Sequence, residues 1–280
     1  MLYFRNAPGL FNVADRNFLM WDGRLDGADL GTLVRDMITE AHTMNMDSRL
    51  AQERLKQVPE YMEMFQEAYA AEPYGGRIYG AIAEFMKTIR TKNAPFDAHL
   101  RGDEAALDDR ARRGLDLFTG KAGCAACHSG PMLSDGGLHA TGAPDHPELE
   151  TTPERQIAML RHFASMGTPG YMNRREDVGH YVVSKDDADI GTFVTPSLWD
   201  VGQTAPYMHS GVFATLDEVV AFYDEGGGEG PNKSPLLEPL GLLAAERADL
   251  VAFLESLTGD APDIEAPELP DYQLRPLGEN

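Results

Sequence analysis

The sequence contains few cysteines, few basic residues and no long apolar run. Only two of its 280 residues are cysteines, Cys124 and Cys127, so a disulfide-rich secreted scaffold is excluded. Twenty-four Lys and Arg stand against 45 Asp and Glu, and the formal net charge of −21 opposes binding to nucleic-acid phosphates. No stretch reaches the ~18–20 apolar residues of a membrane span. We therefore expect neither a nucleic-acid partner nor a membrane span.

The first hundred residues show the periodicity of helices joined by short loops. Gly75-Gly76 is expected to interrupt that pattern, and Asn93-Ala94-Pro95 is expected to form a turn. The apolar spacing and the capping residues predict helices over 29–43, from Asp47 or Ser48 to Val58, from Pro59 through Tyr69, over 78–89 and over 103–118.

Residues 119–211 differ from this helical part because they are rich in Gly, Pro, Asp and His and show no sustained period. So long a loop in a compact chain is usually functional or wrapped around a group that replaces a core. Helical pattern returns at Thr215, where Thr215 and Glu218 match a capping box for a helix through Tyr223. A last helix is predicted over 244–257, and the prolines beyond it (Pro262, Pro267, Pro270 and Pro276) predict an extended tail. The predicted fold class is all-α with much irregular chain.

Both cysteines fall in one motif, Cys124-Ala125-Ala126-Cys127-His128, which is the C-x-x-C-H attachment sequence of c-type haem. One helical turn presents the two sulfurs to the two vinyl groups of a porphyrin, and His128 then faces the iron as proximal ligand. A zinc site would need two further Cys or His ligands at matched spacing, and the sequence has no second pair. A thioredoxin-like redox pair would need a βαβ setting. We therefore expect one haem c in this chain.

Several further motifs, in order, resemble the bacterial di-haem cytochrome c peroxidase and MauG family. They are Arg5-Asn6-Ala7-Pro8, the segment 18–24, the haem motif, the segments 195–198 and 204–211, and the helices 213–223 and 249–254. The resemblance covers essentially the whole chain. It implies a helical inter-haem segment over 1–102, a cytochrome c-like haem domain over 103–260 and a Pro-rich tail over 261–280.

The resemblance also implies a periplasmic location and a second haem domain that these 280 residues do not include. Family members carry two haem domains, and the peroxide-reacting haem of the N-terminal domain is expected to be absent from these 280 residues. Family members acquire their haem outside the cytoplasm, so we expect a periplasmic protein. Residues 1–8 nevertheless show no basic region, apolar region or cleavage site of a signal peptide.

Residue roles follow from the resemblance at matching positions. Trp21 corresponds to the tryptophan that relays electrons between the two haems, although such a residue alone would be read as a core aromatic. Asn6, Thr204 and Pro206 match the inter-haem calcium site, through one side-chain oxygen and two backbone carbonyls, which are ligands that suit a hard cation. His209 lies in the loop that lines the haem pocket, where it either hydrogen-bonds a propionate or forms part of the wall.

Two kinds of residue are candidates for the sixth iron ligand, a tyrosine and a methionine. Tyr223 stands where peroxidase members carry methionine and MauG-like members carry tyrosine, and we expect Tyr223 to be the ligand. Methionine ligation raises the haem potential, so tyrosine ligation would leave it lower. The alternative is that Tyr223 packs in the core while Met208, Met172 or another methionine reaches the iron.

Two further sets of residues depart from a simple pattern. Where many family members place an acid–base glutamate before methionine, this chain has Thr43-Met44; Glu40, one turn earlier, is either a substitute or a solvated residue of the helix face.

The remaining histidines are expected to be surface or loop residues without an assigned role (His42, His99, His139, His146, His162 and His180).

The expected function is therefore a c-type haem oxidoreductase of the peroxidase or MauG type, which relays electrons through the C-terminal haem toward a peroxide-reacting haem. Expected partners are a small redox protein, as electron donor or as protein substrate, and hydrogen peroxide in the complete enzyme. The alternative is a mono-haem electron-transfer cytochrome without peroxidase activity.

Overall fold

Short polar side chains begin the main helices of the computed structural model, which describes residues 3–271. Asp29, Asp47, Asp108 and Thr215 each accept a hydrogen bond from a backbone N–H in the first turn of the helix that follows. Such caps satisfy donors that have no partner within a helix. Elsewhere proline occupies the first helical position, where its missing N–H costs nothing (Pro59, Pro95 and Pro153).

The architecture is helical, which confirms the predicted fold class. The described residues form eleven α-helices: α1 (Leu30–Thr39), α2 (Ser48–Leu55), α3 (Pro59–Tyr69), α4 (Gly75–Lys87), α5 (Pro95–Leu100), α6 (Asp109–Thr119), α7 (Glu148–Thr151), α8 (Pro153–Ser165), α9 (Tyr181–Ser184), α10 (Leu216–Asp224) and α11 (Ala244–Ser256). Within residues 3–271, no helix has the length and hydropathy needed to cross a membrane.

Four short strands pair in two antiparallel ribbons. β1 (Phe18–Leu19) pairs with β2 (Leu25–Asp26), and β3 (Leu138–His139) pairs with β4 (Phe193–Val194). Trp21 lies in the turn between β1 and β2. The backbone N–H of Val194 donates to the carbonyl of Trp21 at 2.9 Å, so the two ribbons are joined at this residue.

Buried apolar side chains form three clusters. The C-terminal core joins α6, α10 and α11 around Phe118, Phe253 and Leu257. The N-terminal core joins α1 and α4 around Leu30 and Ile78. The third core packs α8 against the start of the chain and the region of α9 (Phe4, Leu149, Ala158, Met159, Phe163, Val178, Tyr181 and Val182).

The helices α6 and α11 pack closely against each other at Gly114. A Cβ atom at Gly114 would overlap the backbone carbonyl of Asp249, so only glycine permits this approach. Above the crossing, Arg113 donates two hydrogen bonds to the Asp249 carboxylate at 2.7 and 2.8 Å. This pair of helices forms one side of the cavity described below.

The structure confirms several sequence predictions and corrects others. The third helix and the capping box of Thr215 and Glu218 are present as predicted. Gly75-Gly76 does not interrupt a helix but begins α4, and α5 follows the predicted turn at Pro95. The helix predicted over 103–118 begins only at Asp109, because Asp108 caps it after a short 3₁₀ turn.

The largest correction lies in the region predicted to be irregular. Residues 119–211 contain the 13-residue helix α8, which buries Ala158, Met159, His162 and Phe163 on one face. Of the predicted tail, residues 261–271 lie in no helix or strand, whereas Pro276 lies outside the described residues. The predicted domain boundaries remain predictions.

Candidate haem site

The two cysteines and His128 lie on a single turn. Cys124–Ala126 forms a 3₁₀ helix directly after α6, and Gly123 enters it in the left-handed conformation at φ 63°. The N–H groups of Cys127 and His128 both donate to the carbonyl of Cys124, at 3.3 and 2.9 Å. Both thiols are free. The turn therefore holds two sulfurs and one imidazole in fixed relation to one another.

The ring of His128 is oriented by the backbone. Its Nδ1 lies 3.0 Å from the carbonyl oxygen of Leu133. A carbonyl only accepts, so Nδ1 carries the proton and donates it, and Nε2 keeps its lone pair. Burial lowers the pKa of His128, which favours the neutral ring. The neutral imidazole with a free Nε2 is the form that ligates iron.

These groups open into a cavity of about 890 Å³. Its volume is within the range of cofactor pockets, ~300–1,000 Å³. Its wall is largely apolar and comes from α6, α10, α11 and the loop 193–201 (Phe118, Val194, Leu198, Leu216, Val220, Leu250 and Leu254). Two thiols, one imidazole lone pair and an apolar slot are the groups that a c-type haem requires, so the residues present fit this cofactor.

Tyr223 of α10 lines the same cavity. Burial raises the pKa of Tyr223 above its usual range, the nearby thiols Cys124 and Cys127 raise it further, and a hydrogen bond with Thr141 opposes them. Phe222 packs edge-on against the ring, with the ring centres 5.2 Å apart.

Of the competing methionines, Met208 also lines the cavity and Met172 does not. Met172 is 69% exposed in a 3₁₀ turn after α8. Met20 and Met132 line the cavity as well. The geometry thus removes Met172 from the set of candidate ligands and keeps Tyr223 in it.

Trp21 lies at the cavity wall in the β1–β2 turn. Its indole Nε1 donates to the backbone carbonyl of Asn6 at 2.9 Å. The N–H of Asn6 in turn donates to the carbonyl of His209 at 2.7 Å. Trp21 is therefore held on both sides by backbone groups, of Asn6 and of Val194.

The residues expected to bind calcium come together at the same wall. The Asn6 side chain lies 2.6 Å from the carbonyl oxygen of Pro206, to which its Nδ2 donates. Thr204 donates its hydroxyl and its backbone N–H to the carbonyl of Val201, at 3.2 and 3.3 Å. Asn6, Thr204 and Pro206 all line the cavity.

His209 is buried and stacks on Phe193, with ring centres 3.8 Å apart and planes inclined by 13°. Its Nε2 lies 3.6 Å from a carboxylate oxygen of Asp145. His209 lines the cavity as expected, and its ring nitrogen is directed toward Asp145.

Two histidines that were expected at the surface are buried, and the expectation is corrected. His42 is 4% exposed and His162 is fully buried, with ring centres 4.8 Å apart. Burial lowers the pKa of His42 to about 3 and that of His162 to about 4. His162 Nε2 donates to Asp22 at 3.1 Å, which provides the partner that allows this ring to be buried.

Sequence reasoning also missed a buried ion cluster beside Trp21. Arg5 contacts Asp22 at 2.6 Å and Asp177 at 2.5 Å, and Arg24 contacts Asp22 at 2.8 Å; these charged groups are almost fully buried. The neighbouring charges hold the pKa values of Asp22 and Asp177 low, although burial opposes them. No local signal finds this cluster, because Asp177 lies 172 residues from Arg5.

Thr43 and Glu40, in the region where many family members carry the acid–base glutamate, lie just after the C-terminal end of α1. The Thr43 hydroxyl donates to the carbonyls of Asp36 and Glu40, each at 2.9 Å, so it serves the end of α1. Glu40 is the C-cap residue of α1 and is half-buried. A further histidine, His139, lines the cavity and has its Nε2 2.9 Å from Asp135.

Comparison with known proteins agrees with this geometry. The sequence profile described as "Di-haem cytochrome c peroxidase" matches residues 2–105. "Cytochrome-c peroxidase IdrP2" of Denitromonas iodatirespirans is 55% identical over 278 residues, which are 99% of this chain and 75% of the relative. "Methylamine utilization protein MauG" of Methylorubrum extorquens is 37% identical, over 95% of this chain and 68% of the relative. A solved MauG-like protein associated with microbial copper homeostasis superimposes with a TM-score of 0.73 at 28% identity, over 92% of this chain and 76% of that chain.

Proposed function

The chain belongs to the di-haem cytochrome c peroxidase and MauG family and is an oxidoreductase of that type. We propose that it holds one haem c and relays electrons through this haem toward a peroxide-reacting haem. The observation that carries the proposal is the single turn that places Cys124, Cys127 and His128 at the wall of one cavity of about 890 Å³, with Nδ1 of His128 held by the Leu133 carbonyl. When bound, the haem supplies one-electron chemistry at iron.

In this proposal the two cysteines attach the cofactor and His128 is the proximal ligand. Tyr223 would supply the second protein ligand of the iron, and its place in the cavity wall supports that role. An oxygen ligand in place of methionine keeps the potential low, which makes the oxidised states of the iron easier to reach.

Trp21 is proposed as the electron relay. The hydrogen bonds that hold its indole and its backbone, at 2.9 Å each, support this role, because a relay must keep its distance and orientation. The cluster of Arg5, Asp22 and Asp177 stiffens the same segment, since Asp22 directly follows Trp21 and Arg5 directly precedes Asn6.

A calcium ion is proposed between the side-chain oxygen of Asn6 and the carbonyls of Thr204 and Pro206. The proximity of Asn6 to Pro206 supports it. The amide oxygen and nitrogen of asparagine exchange places by a rotation of the side chain, so the ion would turn Oδ1 inward where Nδ2 now donates. Bound calcium would then link residue 6, whose carbonyl accepts from Trp21, to the 204–206 loop.

The proposed oxidant of the complete enzyme is hydrogen peroxide, and the proposed partner is a small redox protein that acts as electron donor or as protein substrate. The net charge of −21 supports a partner with a basic face, since complementary charge accelerates association. We propose the periplasm as the compartment, since that is where family members acquire their haem.

The experiment that tests the proposal is peroxide-dependent oxidation of a reduced small cytochrome by the purified complete enzyme, in which the haem of this chain is joined to the peroxide-reacting haem. Turnover that requires both peroxide and the intact C-x-x-C-H motif is expected. A haem-loaded protein that exchanges electrons with the cytochrome but consumes no peroxide would instead establish the mono-haem electron-transfer alternative.

A further inference from the structure

Arg16 is the one arginine or lysine among the described residues that line the cavity. It directly follows the 3₁₀ turn Val13–Asp15 and lies next to the ribbon that carries Trp21. Its carbonyl is so close to Gly27 that a Cβ atom there would overlap it, which fixes the backbone of Arg16 against β2. The side chain therefore extends from an anchored position.

The guanidinium of Arg16 lacks a counter-ion. Its Nη2 donates to the carbonyl of Phe11 at 3.0 Å, whereas its Nε is buried and has no hydrogen-bond partner. No carboxylate of the described residues forms an ion pair with it. Burial lowers the pKa of Arg16 to about 10, so the group is still a cation at neutral pH.

The carboxylates that line the cavity are engaged elsewhere or stand apart. Asp15, the neighbour in sequence, pairs with Arg90, and Asp97 pairs with Arg101. The cavity histidines are also occupied, since the rings of His139 and His209 are directed toward Asp135 and Asp145. Arg16 is thus the cavity's uncommitted strong donor.

A buried cation without a partner is costly, and proteins retain such a group where an anion completes it. The cofactor proposed for this cavity carries two carboxylates, its propionates. We propose that Arg16 pairs with a haem propionate and thereby raises the reduction potential of the haem iron. The inference rests on the proposed function, because it requires haem in the cavity.

The effect on potential has a definite sign. Reduction removes one positive charge from the iron, so a nearby cation disfavours the oxidised form more than the reduced form. Removal of the Arg16 charge also leaves a propionate anion uncompensated, which stabilises the oxidised form. Both contributions shift the potential in the negative direction when Arg16 is neutralised.

The test is a spectroelectrochemical titration of the haem-loaded wild type, Arg16→Gln, Arg16→Lys and Arg90→Gln. Arg90→Gln is the matched control, because it removes the same charge from an exposed guanidinium that pairs with Asp15. We expect a negative shift of the potential in Arg16→Gln, recovery of most of it in Arg16→Lys, and no comparable shift in Arg90→Gln. The potential of Arg16→Gln should also become pH-dependent, because an unpaired buried propionate has a raised pKa.

Equal potentials in wild type and Arg16→Gln, or an equal shift in Arg90→Gln, would overturn the role of Arg16. If Arg16→Gln does not fold, Arg16→Lys decides: loss of the guanidinium should move the propionate bending band in the resonance Raman spectrum, and an unmoved band contradicts the pair. Absence of haem from the wild type, seen by pyridine haemochrome, would instead refute the proposed function itself.

Discussion

Trp21 and Asn6 are joined by a hydrogen bond from the indole Nε1 to the backbone carbonyl, at 2.9 Å. Their neighbours in sequence, Asp22 and Arg5, form a buried ion pair at 2.6 Å. Two consecutive pairs therefore fix residues 5–6 against residues 21–22 at the wall of the haem cavity. We expect the Trp21–Asn6 hydrogen bond to affect electron transfer and the Asp22–Arg5 ion pair to affect stability. Substitutions at Trp21 and at Arg5 test the two effects separately.

Replacement of Arg5 should destabilise the fold strongly. Arg5→Met leaves the buried carboxylates of Asp22 and Asp177 without their guanidinium partner, which costs about 3–5 kcal/mol of unfolding free energy. Urea denaturation of the haem-loaded protein measures it. The control is Arg101→Met, which removes an exposed pair with Asp97 and should cost ~0–1 kcal/mol. Similar losses in both variants would show that the buried cluster is not specially important.

Replacement of Trp21 should slow electron transfer without unfolding the protein. Trp21→Phe keeps an aromatic ring but loses the indole, and we expect peroxide turnover by the complete enzyme to fall about tenfold or more, equivalent to ~1.4 kcal/mol of barrier. Trp199→Phe is the matched control, since Trp199 Nε1 also donates to a backbone carbonyl, that of Pro131, at 2.8 Å. Turnover that falls equally in both variants would remove the special role of Trp21.

Tyr223 should control the spectrum and potential of the haem. Tyr223→Phe is expected to change the absorption and EPR spectra of the oxidised protein, and Tyr223→Met is expected to raise the potential. The control is Tyr207→Phe, because Tyr207 lines the same cavity and its hydroxyl donates to the Val201 carbonyl at 3.1 Å. A wild-type methionine-to-iron charge-transfer band, or an unchanged Tyr223→Phe spectrum, would assign the ligand to a methionine such as Met208.

The sequence predicts the local features of this protein well. The C-x-x-C-H turn and the capping box at Thr215 depend on neighbouring residues, and both take the expected form. The helix α8 was missed because glycines, prolines and charges surround it. Two signals mark it in retrospect, a proline at its first position and the buried spacing of Ala158, Met159, His162 and Phe163.

The buried polar groups were not predictable in the same way. His42 and His162 are 120 residues apart, and neither ring nitrogen of His42 has a hydrogen-bond partner among the described residues, whereas Nε2 of His162 has one. That partner is Asp22, whose charge is balanced by Arg5 and Arg24. Burial of each group depends on the others, so no single segment of sequence carries the signal.

The buried histidines should make stability depend on pH below neutrality. The pKa values of His42 and His162 are lowered to about 3 and about 4 in the folded protein. Between these values and the ordinary histidine pKa, the two rings are protonated in the unfolded chain and neutral in the folded chain. Their contribution is complete above the ordinary histidine pKa near ~6.5 and is lost as pH falls toward the folded values.

Each such histidine should remove about 2 kcal/mol of unfolding free energy between pH 6.5 and pH 5, at ~1.36 kcal/mol per pH unit. Urea titrations at pH 7 and pH 5 of wild type and His42→Gln measure the difference, with the partly exposed His146→Gln as control. His42→Gln should lose less stability on acidification than wild type. Identical losses would contradict the neutral, buried state of His42.

Calcium should stabilise the loop around Pro206. At a calcium concentration a hundredfold above the dissociation constant, the expected gain in unfolding free energy is ~2.7 kcal/mol. Thermal unfolding with calcium or with a chelator measures it in wild type and Asn6→Ala, and Asn232→Ala serves as a distant control. The gain should vanish only in Asn6→Ala. A chelator that changes nothing in wild type would exclude the site.

The most direct test of the central claim is the intact mass of the protein produced in a periplasm equipped for cytochrome c maturation. The proposal predicts a mass increase of one haem per chain, retained after denaturation, and its loss when Cys124 and Cys127 are both changed to Ala. An unmodified chain with two free thiols, purified from cells that mature a reference c-type cytochrome, would contradict it.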